Sequence, residues 1–355
     1  MIILTSIFIL FGLSVIAPFV NQKFPKISGW LLGVVPASLF FVFLSKIPVV
    51  GRGDAFKEVY PWLSELGIGL SFNLDGLSLF FALLVTGVGA LIMIYAGYYM
   101  RSYQKTNRFF GYLVFFMAGM LGLVTASDWI TLFMFWEFTS ISSFMLIGFK
   151  HEKTAAREAA LQALLITGVG GLALLAGLIM MSLPYHSFSF EAVISDPQPF
   201  LQSSLFVPAT ILIMIGAFTK SAIFPFHFWL PGAMQAPSPV SAFLHSATMV
   251  KAGIYLLARL HPVMESQELW IYTLSVFGVV TMFVGAWFAL AQQDLKKILA
   301  YTTVSALGTM VLLIGTSTAY SVTAALVFLL VHAFYKATLF MMAGNIEKIT
   351  GTRDM

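Results

Sequence analysis

Eleven long apolar runs, separated by short polar joints, leave this chain one environment and one kind of backbone. A bilayer core takes about 20 helical residues to cross. Inside hydrocarbon every backbone N–H and C=O must find its partner within the protein, so spanning elements are helices or closed barrels. A barrel would show short alternating segments; these runs are continuously apolar. Only 10% of the residues are charged, against about 25% in soluble domains, and the mean hydropathy is +0.92. The expectation is an all-α polytopic membrane protein. Spans are predicted at 2–20, 29–50, 76–98, 109–126, 128–149, 157–182, 207–235 (broken), 236–260, 269–291, 296–316 and 320–345. Only Ser127 and Asp128 part the fourth from the fifth. The first run lacks a basic lead-in and a convincing cleavage site, and reads as a retained helix. The polar segment 183–206 reads as an external loop with a surface helix.

Lys and Arg sort by loop under this count. Twelve fall on one side, among them Lys23, Arg101, Lys150, Lys296 and Arg353; four fall on the other, namely Lys46, Arg52, Lys57 and Arg259. The bias places the first set in the cytoplasm and the N-terminus outside. A missed span would scramble the tally.

The remaining three lysines lie inside spans, and two of them frame the stretch Gly216 to Leu260, GAFTKSAIFPFHFWLPGAMQAPSPVSAFLHSATMVKAGIYLLARL. An apolar helix carries Lys220; the chain then breaks at Pro225 and again at Pro231; a second apolar helix follows with His245 and Lys251. Ionisable groups in hydrocarbon cost a few kcal/mol or more, so they usually face an interior polar path. Irregular backbone at membrane depth occurs where protein buries it or where it lines such a path. Together the two features point to ion transport.

Glu137 sits near the middle of its span, in ASDWITLFMFWEFTSISSFMLIGFK. It either pins two helices through Ser and Thr neighbours or forms a proton or cation site tuned by a lysine. Lys220 precedes the Pro225 break by five residues, and proline frees carbonyls upstream that can receive a lysine proton; the alternative is a lysine that snorkels to the surface. His245 and Lys251, six residues apart on one helix, lie about 120° around it and form no tight local pair. A lone histidine in an apolar helix serves equally as a packing hydrogen bond. His332 and Lys336 share one face at i, i+4, where two cations cannot both stay charged cheaply, so the pair reads as a proton relay. His227, just past the break, reads as structural, and Asp128 and Asp294 as helix N-caps.

Other chemistry is excluded by composition. No cysteine is present, which removes disulfides, thiolate metal sites and iron–sulfur ligation. No glycine-rich phosphate loop follows a strand, no HExxH occurs, and no histidine pair is spaced for haem. No cofactor, metal or catalytic residue is expected, and the small net charge of +4 gives no sign of nucleic acid.

The Gly216–Leu260 stretch, with WEFTSISSFMLIGF, HAFYKATLF, NLDGLSLFF and DLKKILAYTTVSALG, resembles the antiporter-like membrane subunits shared by proton-pumping NADH:quinone oxidoreductase (complex I), related hydrogenases and Mrp-type multisubunit Na⁺/H⁺ antiporters. The lysine in HSATMVKAGIYLLAR resembles the large A subunits of Mrp antiporters; complex I counterparts typically carry another residue there. The resemblance implies two inverted five-helix repeats, each with a broken helix: N-terminal helices over 1–108, a first repeat over 109–260, and an incomplete second repeat over 261–355. The family's second broken helix would follow Met355, which points to a fragment or a split subunit. Glu137 and Lys220 match the family's glutamate–lysine pair, His245 its middle histidine, and His332 with Lys336 the pair leading toward the second channel. Some relatives carry a further histidine where this chain has Phe328. The implied role is an ion-translocating antiporter subunit of a prokaryotic cell membrane, not an enzyme, working with other subunits and with Na⁺ and H⁺. A redox-driven complex I or hydrogenase subunit is the second reading. A non-transporting scaffold is the third, and six buried ionisable groups argue against it.

Overall fold

The computed structural model describes residues 1–63, 68–103 and 106–354. Its frame is α1 Ile2–Lys23, α2 Ser28–Leu44, α3 Gly76–Tyr99, α4 Asn107–Thr125, α5 Trp129–Ile147, α6 Thr154–Ser182, α7 Phe206–Lys220, α8 Ser238–Leu244, α9 Ala252–Met264, α10 Glu268–Leu290, α11 Leu295–Gly315 and α12 Ser321–Thr350. With Ser28–Val50 and Ser238–Met264 each taken as one stretch, ten helices among the described residues are long and apolar enough to cross a membrane. At 15 residues α7 is too short to do so alone. The chain completes that crossing through single turns at Phe226–Phe228, Trp229–Gly232 and Ala233–Gln235. With this broken stretch counted beside the ten, the described residues make eleven crossings, the number expected from the sequence.

The joints gather on two faces. On one, Phe72 bridges Ala126, Asp128 bridges Ser189, Lys57 lies 2.7 Å from Glu191, and Arg259 pairs with Asp75. On the other, Asn21 donates to Asn107 at 2.9 Å, Arg101 to the Lys26 carbonyl at 2.5 Å, Lys348 to the Tyr99 carbonyl, and Asp294 bridges Asp354. This is the alternation the charge tally requires. Asp128 and Asp294 do cap their helices, accepting from the Thr131 and Lys296 amides at 2.7 and 2.8 Å. One tally member moves: Lys296 is only 1% exposed and does not belong to the loop charge. The bias keeps its direction without it.

The structure departs from expectation in two places. A hairpin, β1 Phe56–Leu63 with β2 Ile68–Leu74, covers the first face, pairing Phe56 with Leu74 through Pro61 with Gly69. Its period-two pattern, with Lys57 and Val59 exposed between half-buried Phe56, Glu58 and Tyr60, is legible in the sequence but overshadowed by the apolar runs. The second departure concerns the span expected at 236–260. It is not one helix: α8 ends at Leu244, a turn follows, and a 3₁₀ turn at Met249–Lys251 leads into α9. Hydroxyls replace helical partners there, with Ser246 donating to the Ala242 carbonyl and Thr248 to the Phe243 carbonyl at 2.7 Å. Pro231, expected to mark a break, instead lies inside the Trp229–Gly232 turn; the interruption begins earlier, after Lys220, with Ala222 at φ 51°.

Candidate ion-translocation site

The two interruptions pack against each other. The Ser221 hydroxyl, just after α7, donates to the Val250 carbonyl at 2.8 Å. Gly253, at the start of α9, lies so close that a Cβ there would meet the Ala217 carbonyl oxygen at 2.3 Å and the Ser221 hydroxyl at 2.4 Å. Trp229 ties the same region together, donating from Nε1 to the Thr219 carbonyl at 2.9 Å while its ring lies 6.1 Å from that of His245. Two stretches of non-helical backbone thus share one buried junction, with ionisable side chains on both sides of it.

Lys220, the last residue of α7, is fully buried. Its ammonium donates to the Trp136 carbonyl at 2.9 Å and the Ser140 hydroxyl at 2.7 Å, both on α5, and lies 5.1 Å from the centre of the Trp136 ring. Glu137 stands next to Trp136 in the chain, half-buried, with Oε1 enclosed and without a hydrogen-bond partner. No ion pair joins Glu137 to Lys220; Lys220 instead holds the carbonyl of Trp136, the neighbour of Glu137 in the chain. The carboxylate lies against Gly171 of α6, where a Cβ would come 2.1 Å from Oε1.

Beyond the junction, the second break overturns the spacing argument for His245 and Lys251. Because the helix is interrupted between them, the Lys251 ammonium reaches back to the His245 carbonyl at 3.3 Å. The same ammonium lies 3.0 Å from Nδ1 of His332 on α12. With a protonated lysine donating, Nδ1 accepts and the imidazole proton sits on Nε2, which is buried without a protein partner. Both ring nitrogens of His245 are likewise buried and unpartnered.

His332 and Lys336 share a buried helix face, as the i, i+4 spacing predicts. They turn to different partners, however. His332 meets Lys251, while Lys336 donates to the Thr302 hydroxyl of α11. The structure therefore joins the turn ahead of α9 to α12 through Lys251–His332 and α12 to α11 through Lys336–Thr302, in place of a direct His332–Lys336 contact. Phe328, at the position where some relatives have histidine, packs 6.4 Å from the His332 ring. His227 stacks with Phe224 and Phe288 at 5.8 and 6.4 Å, a packing position.

Lys296 lies outside the set expected from the sequence. Its ammonium donates to the Ala236 carbonyl at 2.6 Å, at the entrance to α8. A signal for it exists: Lys296, Ala300, Thr303 and Leu307 form one helical stripe, all buried, whereas Lys297 beside it is exposed. Between Lys296 and His245, Ser238 and Ser241 of α8 have enclosed hydroxyls with no protein partner, so a line of polar groups runs along this half of the broken helix. Among the described residues no cluster of side chains could hold a metal ion.

A polytopic helical bundle with two interrupted helices and a buried series of lysines and histidines defines a class of membrane-embedded protein with ionisable groups in its interior. Comparison with known proteins gives the family. Residues 126–355 match the family described as NADH:quinone oxidoreductase/Mrp antiporter, TM, and residues 62–110 the one described as NADH-ubiquinone oxidoreductase (complex I), chain 5 N-terminus. The chain is 42% identical to the A subunit of the Na(+)/H(+) antiporter of Alkalihalophilus pseudofirmus, over 97% of this chain and 45% of that protein. It is 42% identical to the A1 subunit of the Na(+)/H(+) antiporter of Staphylococcus aureus strain RF122, over 100% and 45%. The solved Mrp complex from Dietzia sp. superposes with a TM-score of 0.94 at 36% identity, over 100% of this chain and 38% of the matched one. The chain therefore belongs to the NADH:quinone oxidoreductase/Mrp antiporter transmembrane family. It spans about half the length of the curated relatives it matches.

Proposed function

We propose that this chain is an ion-translocating part of a multisubunit Na⁺/H⁺ antiporter, moving protons or coupling charge through Glu137, Lys220, Lys251, His332 and Lys336, with Lys296 and His245 joined to the same series. The observation that carries this is the Lys251–His332 contact at 3.0 Å, which links two helices across the break at membrane depth. A scaffold would gain nothing from enclosing so many ionisable groups, each expensive in hydrocarbon. The 42% identity to antiporter proteins of the A and A1 type favours antiport over a redox-driven pump. The first repeat corresponds to 109–260, with 261–355 contributing part of a second. The excess of Lys and Arg on one set of loops puts those loops in the cytoplasm and the N-terminus outside. Partners are the other subunits of such a complex and the surrounding lipid.

The testing experiment is antiport in membrane vesicles carrying the assembled complex, read as cation-driven collapse of a pH gradient. Glu137→Gln and Lys220→Met are expected to abolish exchange at normal assembly. Normal exchange by either variant refutes the assignment.

A further inference from the structure

A cavity of about 940 Å³ opens between the start of α4, the end of α5 and the start of α6, on the face that carries the basic loops. Its rim carries the cations Arg108, Lys150 and Arg157, with His151 beside them 3.6 Å from the carboxylate of Glu152. Its depth is apolar, with Tyr112, Phe144, Met145 and Leu161. Lys150 is held over the Tyr103 ring at 4.9 Å. Arg157 donates to the His151 carbonyl at 2.6 Å and fixes the α5–α6 turn. None of these residues belongs to the buried series described above.

The apolar part does not end at the cavity. It continues down the outside of the bundle along Ile141 and Met145 of α5 and Leu161 and Leu165 of α6, exposed by 42, 37, 50 and 64%. A soluble anion would use the rim and leave that strip unoccupied. A molecule with a phosphate head and hydrocarbon tails matches both parts, since basic pockets between membrane helices suit anionic head groups and the strip suits acyl chains.

We infer that this cavity is a binding site for an anionic phospholipid, its phosphate set among Arg108, Lys150 and His151 and its chains laid along the α5–α6 strip. Zwitterionic lipid carries its own cation into the same rim and binds more weakly. Each rim cation contributes about fivefold in affinity.

The chain has no cysteine, so Leu165→Cys, one turn below the cavity lining, gives these residues a single labelling position for a fluorophore in the assembled membrane protein. The same protein without that substitution gives the background. In vesicles of matched composition, brominated phosphatidylglycerol is expected to quench the probe several-fold more effectively than brominated phosphatidylcholine. Arg108→Gln with Lys150→Gln is expected to remove the preference while leaving quenching by phosphatidylcholine, which also reports that the variant is folded. Arg157 is left in place because it holds the turn. Equal quenching by both lipids in the parent protein overturns the inference. So does a preference abolished by millimolar inorganic phosphate, which assigns the rim to a free anion, or a probe shielded from both lipids, which assigns the strip to a protein partner.

Discussion

Replacing Lys251 by methionine tests the central contact of the site most directly. Methionine keeps the apolar stem of this fully buried side chain, so packing around the break survives while the ammonium is lost. That ammonium makes two contacts, to the His245 carbonyl at 3.3 Å and to His332 Nδ1 at 3.0 Å. The second is the better hydrogen bond, and one with a charged donor contributes about 1.5–3 kcal/mol. If charge passes through this contact, its loss raises the barrier by that amount, and at about 1.4 kcal/mol per factor of ten antiport falls roughly ten- to hundredfold. Lys251→Arg separates two meanings of the result. Arginine keeps the positive charge but does not release its proton, so a relay fails with arginine about as badly as with methionine, whereas a fixed structural charge is restored. The assay is pH-gradient collapse in vesicles, normalised to assembled complex. Near-normal exchange by Lys251→Met refutes the role of the contact. Recovery by Lys251→Arg alone refutes proton passage and leaves Lys251 as a fixed charge.

Gly171→Ala is expected to displace the Glu137 carboxylate, since the new methyl would meet it at 2.1 Å, and to slow exchange without disturbing assembly; infrared spectra of the carboxyl stretch report whether Glu137 has moved. Lys296→Met is expected to impair exchange, whereas Lys297→Met, exposed beside it, is not, and equal rates for the two would remove Lys296 from the series. Asp75→Asn breaks the clamp from Arg259 at the head of α3 and is expected to lower the detergent melting temperature by a few degrees. Burial alone would raise the Asp75 carboxyl, but Arg259 and Ser78 outweigh it and hold it below the ordinary value of 3.8. The folded state thus favours the ionised form, and the clamp's contribution is complete above that value and lost only as pH falls through the depressed one. The melting difference between parent and Asp75→Asn is therefore expected to stay constant from pH 5 to neutrality, and one that vanishes by pH 5 contradicts this assignment.

Much of the frame was readable because membrane insertion constrains sequence so heavily. Span number, loop alternation and the caps at Asp128 and Asp294 all follow from apolar length, charge bias and short polar joints. The break after Lys220 was readable because Pro225 announces it. The second break was not, because no proline or glycine cluster marks His245–Lys251. It is made by tertiary contact, with Gly253 against Ala217 and Ser221 against Val250, and the hydroxyls of Ser246 and Thr248 are compatible with either a helix or a turn. That miss carried others with it. On a continuous helix His245 and Lys251 diverge, and the Lys251–His332 contact, 81 residues apart in sequence, has no local signal at all. Lys296 was lost for the opposite reason, since a lysine beside a cap and another lysine reads as loop charge until the buried stripe beneath it is traced.

The partners of the buried lysines explain why broken helices and lysines occur together. Lys220, Lys251 and Lys296 each donate to a backbone carbonyl, those of Trp136, His245 and Ala236. A lysine held against a carboxylate is locked in its charged form by a strong opposite charge. A carbonyl has no net charge to lock it; it accepts from the ammonium and leaves the amine able to exist without its proton. The Trp136 carbonyl lies inside α5 and is shared with the Thr139 and Ser140 hydroxyls, whereas interrupted backbone leaves carbonyls free. His245 ends α8, and Ala236 sits in extended backbone just ahead of its start, so the two ends of α8 supply the acceptors for two of the three lysines. The interruption is thus a source of neutral hydrogen-bond acceptors at a depth where water and carboxylates are both expensive. Only Glu137 adds a formal negative charge, and it stands beside Lys220 without being bonded to it. If this series carries charge as proposed, a cation approaching Glu137 weakens its hold on Lys220's charge, and Lys251 and Lys296 rest on partners that do not oppose the change.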